Sequence, residues 1–508
     1  MPTFAAVDVG SNSVRLKIAR LYRGRLETIH EDREVTRLGE SVFRNGLLDP
    51  EAISQTVKVL RRFHRSASNA QVDAVRVVAT SAMRDTRNAS SFIEWVRSTT
   101  GWRVEIISGL EEGRLIHLGV VANARLNTWP LLLMDLGGGS CELTVSVDSQ
   151  IRSMVSLPLG AVRLTEEFLP NDPPKKKETE RLRQFIAEEV GRLERRMRRW
   201  SPKLAIATSG TAAALAALGE TFDKRSARRA NYVSTKGLDR IVTELSKRSL
   251  AQRRALAGLG PKRAEIIIAG ATVYAELAER FQLPGIQYSP LGLRDGLLVQ
   301  MAADYDRHTA LGKRIETERQ SGLSEAAQHY GADITFAEHV RNLMLQLFRQ
   351  LKPVHRLPDE YMEWLSAAAM LHEIGAFVNR NGRHRHAYYL IANSELYGFA
   401  NEQRRLIAAI ARYMGKSKPS PQDRVLRLLR PLDRPLMPRA VVLLRMARAL
   451  NLGRKGAVEA VHVKIKDSVV SLKLQTRRGG ADLELWQVLK EKSYFREVFG
   501  RDLEADVS

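Results

Sequence analysis

Two short segments of this chain carry the same device, an apolar run that ends on an aspartate and turns at once on glycine and hydroxyl residues. The first reads Ala5-Ala6-Val7-Asp8-Val9-Gly10-Ser11-Asn12-Ser13 and the second Leu132-Leu133-Met134-Asp135-Leu136-Gly137-Gly138-Gly139-Ser140. Each apolar run reads as a buried strand. Glycine lets the backbone turn tightly and bring its N–H groups close to a phosphate, and serine adds a hydroxyl donor. An aspartate at a strand end is a hard oxygen ligand, suited to Mg2+ bridging to phosphate oxygens. Either loop alone also fits an ordinary hairpin turn with aspartate as turn former. As a pair, each opening its own α/β segment, they predict a duplicated fold with a phosphate held in the cleft between two halves. Neither fits G-x-x-x-x-G-K-[ST] or G-x-G-x-x-G, so Walker-type and dinucleotide-binding loops are not supported.

At 508 residues the chain exceeds one core, and length alone suggests roughly three or four domains. The one cysteine, Cys141, rules out an intramolecular disulfide and fits a reducing compartment. It reads as a small residue beside the second glycine turn. No basic leader with an apolar core is visible at the N-terminus, and no run approaches the about 18 apolar residues of a membrane span. The expectation is a cytoplasmic protein without a membrane partner. A net charge of +23 attracts polyanions. Basic residues gather at Lys175-Lys176-Lys177, at Arg192, Arg195, Arg196, Arg198 and Arg199, and through Arg380 to Lys455. Any one of these clusters also fits a solvated helix face. Few aromatics interleave them and no zinc-finger or RNA-recognition signature occurs, so sequence-specific nucleic-acid binding is not supported.

The first segment, to about residue 125, predicts strands at Phe4–Val7, Val14–Leu21, Arg25–His30, Ala74–Ala79 and Arg103–Ile107, with helices at Ile53–Ser66, Ala89–Ser98 and after Ser108. The second repeats the theme with strands at Leu131–Asp135, Glu142–Val147, Ile151–Leu157 and Leu204–Ala207. It also carries a basic helix at Glu178–Arg199 and a Ser209-Gly210-Thr211 turn that opens an alanine-rich helix. From about residue 310 helical patterns dominate, at Phe336–Leu351, Glu363–Phe377 and Asn401–Tyr413. From about Ala457 an alternating hairpin, Val461–Lys466 and Val469–Leu474, precedes a terminal helix. The expected division is 1–125, 126–309, 310–456 and 457–508.

Ser108-Gly109-Leu110-Glu111-Glu112 carries the most weight beyond the loops. Ser108 and Glu111 fit an S-x-x-E capping box, which leaves Glu112 free. Glu112 then reads either as a first-turn acid favoured by the helix dipole or as a general base facing the cleft.

The order of motifs resembles the exopolyphosphatase/guanosine pentaphosphate phosphohydrolase (Ppx/GppA) family over essentially the whole chain. The matching stretches are Val7–Ser13, Ala79–Arg84, Glu105–Gly109 with Glu111-Glu112, Met134–Ser140 with Glu142-Leu143, Ser209–Thr211 and Gly292-Leu293-Arg294-Asp295-Gly296. The resemblance implies an α/β fold of two actin-like (ribonuclease H-like) lobes with an interlobe cleft, an all-α HD-like domain and a small α+β C-terminal domain. It places Glu112 on the family's catalytic base and Arg84 on a phosphate-site arginine. Asp135, Glu142 and, in the first loop, Asp8 fall on acidic positions associated with Mg2+. Gly10, Ser11, Asn12, Ser13, Gly137, Gly138, Gly139 and Ser140 would hold terminal phosphates, with Ser209, Gly210 and Thr211 completing the cradle. Cys141 stands where many relatives carry threonine.

The helical part contains Leu371-His372-Glu373-Ile374-Gly375, with His339 upstream and His384 and His386 downstream. This resembles an HD-type metal helix in which Glu373 replaces the aspartate, and a degenerate HD-like domain fits better than a second metal site. The activity implied is Mg2+-dependent removal of the terminal phosphate of inorganic polyphosphate, with the basic surfaces of the second lobe and helical domain guiding the chain. The same machinery admits guanosine pentaphosphate, giving guanosine tetraphosphate. A catalytically silent polyanion-binding regulator and an ATP-dependent kinase of the same fold are the remaining alternatives. Family members are commonly homodimers.

Overall fold

A computed structural model describes residues 1–123, 130–223, 229–306, 309–394, 396, 398–477 and 480–507. The side chains of Arg195, Arg196 and Arg198 and the expected boundary at residue 125 lie outside the described residues. The chain forms two compact units, Met1–Gly312 and Lys313–Ser508.

The first unit contains two sheets built on one plan. In the first, β1 (Thr3–Val9), β2 (Val14–Tyr22), β3 (Arg25–Glu34), β4 (Ala74–Ala79) and β5 (Val104–Ile106) lie in the order β3-β2-β1-β4-β5. The β1-β2-β3 meander is antiparallel, while β4 and β5 join in parallel. The second contains β6 (Leu131–Leu136), β7 (Cys141–Val147), β8 (Gln150–Leu157), β9 (Leu204–Thr208), β10 (Tyr232–Ser234) and β11 (Gly285–Tyr288), in the order β10-β11-β9-β6-β7-β8. Here β6-β7-β8 is the antiparallel meander and β9 and β11 the parallel extension. The two aspartate loops therefore occupy equivalent positions, each linking the first two strands of its sheet.

Both faces of the first sheet are covered. Ala5, Val7 and Val9 of β1 pack under the Pro50–Asn69 and Ala89–Thr100 helices, while Phe4 and Ala6 face the Gly109–Asn123 and Leu293–Tyr305 helices. That alternation is the period of a strand buried on both sides. The last two helices cross at Gly119 and Gly296, where a Cβ on Gly119 would stand 2.6 Å from the Gly296 nitrogen.

The second unit is helical around one apolar core that also takes in β12 (Val458–Ile465), β13 (Val469–Thr476) and β14 (Asp502–Val507). Two sequence expectations need correction here. The helix expected over Glu363–Phe377 stops at Leu371, and Ile374–Phe377 is a 3-10 turn. Gly375 explains it: the Arg383 carbonyl lies where its Cβ would be, so the next helix passes too close for the first to continue. The tail ends not in one helix but in two, followed by β14, which pairs in parallel with β13. Its sequence, DLEADV, buries only Leu503 fully, so its acidic alternation hid the strand.

Candidate active site

A cavity of about 420 Å³ lies between the two sheets of the first unit, and both aspartate loops line it. The loops close with the same turn: the Gly10 N–H donates to the Ser13 carbonyl at 3.2 Å, and the Gly137 N–H to the Ser140 carbonyl at 2.9 Å. They also touch, since a Cβ on Gly138 would fall 2.9 Å from Cβ of Ser11. Gly10, Ser11, Asn12, Ser13, Gly137, Gly138 and Ser140 all line the cavity, as do Asp8, Asp135 and Glu112. Gly139 does not, because its Cα packs against Gly160, and a Cβ there would meet Phe43 and Ser81.

Ser209 and Gly210 line the cavity beside the second loop, at the N-terminus of the Ser209–Phe222 helix, where unpaired N–H groups and the dipole favour an anion. Ser209 holds a left-handed backbone, φ 75°, and its hydroxyl donates to the Leu136 carbonyl at 2.7 Å. Thr211 turns inward and accepts from Arg263 Nη1 at 3.3 Å.

Glu112 sits in the first turn of the Gly109–Asn123 helix, 6% exposed. Ser108 caps this helix by accepting from the Glu111 N–H at 3.1 Å, while the Glu111 carboxylate forks onto Arg114 at 2.8 Å. Only one half of the expected capping box is thus on the expected atoms, and Glu112 is left pointing into the cavity. Arg84, on the turn after β4, donates to Glu112 Oε2 at 3.0 Å, to the Ile107 carbonyl at 2.8 Å and to Ser140 Oγ at 3.2 Å. It therefore ties the first lobe's acid to the second lobe's glycine loop.

Asp135 and Glu142 are directly opposed on β6 and β7. Together with Glu112 they place one carboxylate oxygen each within 4.8 Å of one another. Burial raises all three carboxyls, Glu142 well above the usual range; the charges of Glu112 and Asp135 add to the rise at Glu142, and that of Asp8 to the rise at Asp135. Glu112 is pushed up to about 7 by burial, with Arg84 opposing and Asp135 and Asp8 adding to the rise. Glu142 accepts from Ser156 Oγ at 2.7 Å through Oε1, but its buried Oε2 has no hydrogen-bond partner. A hard divalent cation fits this donor set, because it neutralises clustered carboxylates and takes up the unpartnered oxygen. Asp8 faces the same cavity but stands outside the trio, and its opposed residue on β2 is Arg15.

Four further cations line the cavity: Arg15, Arg33, Arg263 and Arg294. Burial, with Arg15 and Arg33 nearby, holds Arg263 down to about 9. Gly210 makes room for it, as a Cβ there would collide with the Arg263 guanidinium. Sequence reading missed all four roles. Arg15 could have been found from its register opposite Asp8, and Arg294 from the quoted Gly292–Gly296 stretch. Arg263 and Arg33 lie in no motif.

In the second unit the suspected histidines do not converge. His372 Nδ1 bonds the Ala369 carbonyl at 2.8 Å, and His339 Nε2 bonds the Val458 carbonyl at 2.8 Å. Glu373 pairs with Arg454 and stands 3.5 Å from Arg383. Among the described residues the Glu112, Asp135 and Glu142 trio is the one grouping fit for a metal ion. Cys141 is fully buried with its thiol raised by burial, consistent with a packing residue.

The sequence profile of the Ppx/GppA phosphatase family matches residues 17–305, and that of Ppx/GppA phosphatase domain III matches residues 319–490. Among solved structures, the chain resembles an exopolyphosphatase from Cytophaga hutchinsonii at 24% identity and TM-score 0.56, covering 59% of this chain and 98% of that one. It also resembles the Aquifex aeolicus Ppx/GppA family member at 29% identity and TM-score 0.51, covering 61% and 99%.

Proposed function

This chain belongs to the Ppx/GppA phosphatase family and is a hydrolase, and from that premise we propose that it removes the terminal phosphate of inorganic polyphosphate as orthophosphate. The observation that carries the reading is the cavity's charge arrangement. A carboxylate trio, Glu112 and Glu142 buried and Asp135 half-buried, sits beside two glycine loops, while Arg15, Arg33, Arg263 and Arg294 line the same space. A lone phosphate monoester does not need four more cations. A chain of phosphates running on from the reacting one does, since each adds negative charge to be paired.

In this reading the terminal phosphate lies against the Gly10–Ser13 and Gly137–Ser140 turns and the Ser209–Gly210 helix start, with backbone N–H groups directed at its oxygens. Glu112 takes a proton from water as the water oxygen bonds to phosphorus and the bridging P–O bond breaks. Electrons pass to the departing chain end, where the arginines stabilise the new charge. Arg84 keeps Glu112 oriented and adds positive charge beside the reacting group. Asp135 and Glu142, with Glu112 adjacent, would hold the cation, which we take as Mg2+. When bound, it supplies charge neutralisation to the phosphate oxygens.

A second reading, guanosine pentaphosphate as substrate, is favoured by one feature. Tyr288, with Pro290 and Leu291, gives the cavity a less polar wall that could face a base. We further infer a cytoplasmic homodimer. In support, no helix among the described residues is long and apolar enough to cross a membrane, and the second unit exposes Phe377, Val378 and Tyr389. The test is orthophosphate release from long-chain polyphosphate and from guanosine pentaphosphate, with and without Mg2+. Faster turnover of polyphosphate is expected; release confined to the nucleotide overturns the assignment in favour of the second reading.

A further inference from the structure

On the first lobe, away from the active-site cavity and sharing no lining residue with it, a second open cavity of about 460 Å³ is lined by Lys58, Arg61, His64, Arg65 and Thr99. The Pro50–Asn69 helix supplies the basic residues. It buries Ile53, Val57, Leu60 and Phe63 against the sheet, which leaves Lys58, Arg61 and Arg65 exposed on its outer side. At positions i, i+3 and i+7 they form a row about 10 Å long. Thr99, from the Ala89–Thr100 helix, forms the facing wall.

Counter-charge distinguishes this row from its neighbours. Arg62, between them in sequence, is held by Asp32 at 3.0 Å and Glu34 at 3.5 Å, and Arg76 is held by Glu105 at 3.1 Å. Lys58, Arg61 and Arg65 make no ion pair or side-chain hydrogen bond among the described residues, and no acid lines the cavity. Three unpaired cations converging on one concavity raise the local potential for an anion with closely spaced charges. The lining offers no free aromatic face, because the His64 ring is engaged by Trp102 at 5.2 Å. Single-stranded nucleic acid is usually held by stacking as well as charge; this groove offers charge alone.

We propose that this groove is an accessory binding site for inorganic polyphosphate, holding a distal stretch of the chain whose end is being hydrolysed. The inference rests on the polyphosphate reading of the active site. A chain long enough to reach both places is held at two points, and after each cleavage the shortened end remains at high local concentration near the cavity. A short chain gains nothing from the groove. Long chains should therefore be degraded with few dissociation events, while tripolyphosphate sees only the cavity.

The test uses the full chain and a variant with Lys58→Gln, Arg61→Gln and Arg65→Gln, exposed positions whose change leaves the core untouched. With polyphosphate of several hundred units, KM should rise about fivefold or more at unchanged kcat, and gels should show intermediate lengths absent with wild type. The salt dependence of binding should flatten by about 2 in log–log slope, for three lost contacts. Tripolyphosphate turnover should not change. Equal KM, slope and product ladder for both proteins on long chains would overturn the proposal. So would groove-dependent binding of a single-stranded RNA of equal charge more tightly than polyphosphate. If wild type releases no phosphate from either chain, the active-site reading fails. Retention of labelled long-chain polyphosphate then still judges the groove, with several-fold loss in the variant supporting it and equal retention overturning it.

Discussion

Asp135 and Glu142 face each other across the β6–β7 ladder, a half-buried and a buried carboxylate on directly opposed residues, whereas the matching position across from Asp8 on the first sheet holds Arg15. The duplicated loops are thus alike in backbone and unlike in charge. The first lobe gives its aspartate a guanidinium, and the second gives its aspartate another acid. That difference puts two of the three clustered acids on the second lobe, with Glu112 of the first lobe bringing one carboxylate oxygen within 4.8 Å of theirs.

Replacing Glu142 by glutamine keeps the shape but removes one of the repelling charges. Without divalent ion at pH 8, Tm should rise by about 3 °C or more, and the Tm increase that Mg2+ gives wild type should shrink. Phosphate release should fall by at least about 100-fold. Differential scanning calorimetry with and without Mg2+ reads the first two and a phosphate assay the third. A more stable, less active protein is the outcome expected where a site stores repulsion for function.

The pH dependence follows from Glu112, raised from an ordinary 4.5 to about 7, with Asp135 and Glu142 raised as well. A group whose pKa is higher folded than unfolded adds stability that is complete below the unfolded value and lost as pH climbs through the folded one. The metal-free protein should therefore lose stability between about pH 5 and pH 8. Mg2+ should bind more tightly over the same range, because the carboxylates must shed protons to bind it. Calorimetric titration at several pH values checks both signs.

Gly210→Ala tests the arginine wall. The added methyl collides with the end of the flexible Arg263 side chain rather than with backbone, so the guanidinium moves. Tm should stay within about 2 °C, while KM for polyphosphate should rise about tenfold through loss of one charge-assisted contact.

Gly296→Ala is the contrasting case. Its Cβ would land on the Leu115 carbonyl in the crossing of the Gly109–Asn123 and Leu293–Tyr305 helices, where neither backbone can yield cheaply. The expected loss is about 3 kcal/mol of stability, measured by urea denaturation.

Much of the first unit was legible because its signals are local. A strand ending on Asp8 or Asp135 and a glycine turn after it are readable within about ten residues, and Ser108 announces the helix that carries Glu112. Most of the arginine wall was not legible, because Arg33 and Arg263 lie in no motif and join Arg294 from β3 and the Gly260–Ile266 turns, a convergence only the tertiary fold creates. The break at His372 and the strand at Asp502–Val507 were hidden for a related reason. Close passage at Gly375 and a parallel partner in β13 are both long-range facts.

Activation by Glu112 of the water that attacks the terminal phosphate is the step on which the proposed reaction turns. Single-turnover phosphate release from polyphosphate by wild type and Glu112→Gln, with the polyphosphate Kd measured for each, tests it most directly. A rate lower by about 100-fold to 10,000-fold is expected for Glu112→Gln, with Kd changed by less than about threefold. Release by Glu112→Gln within tenfold of wild type would contradict it.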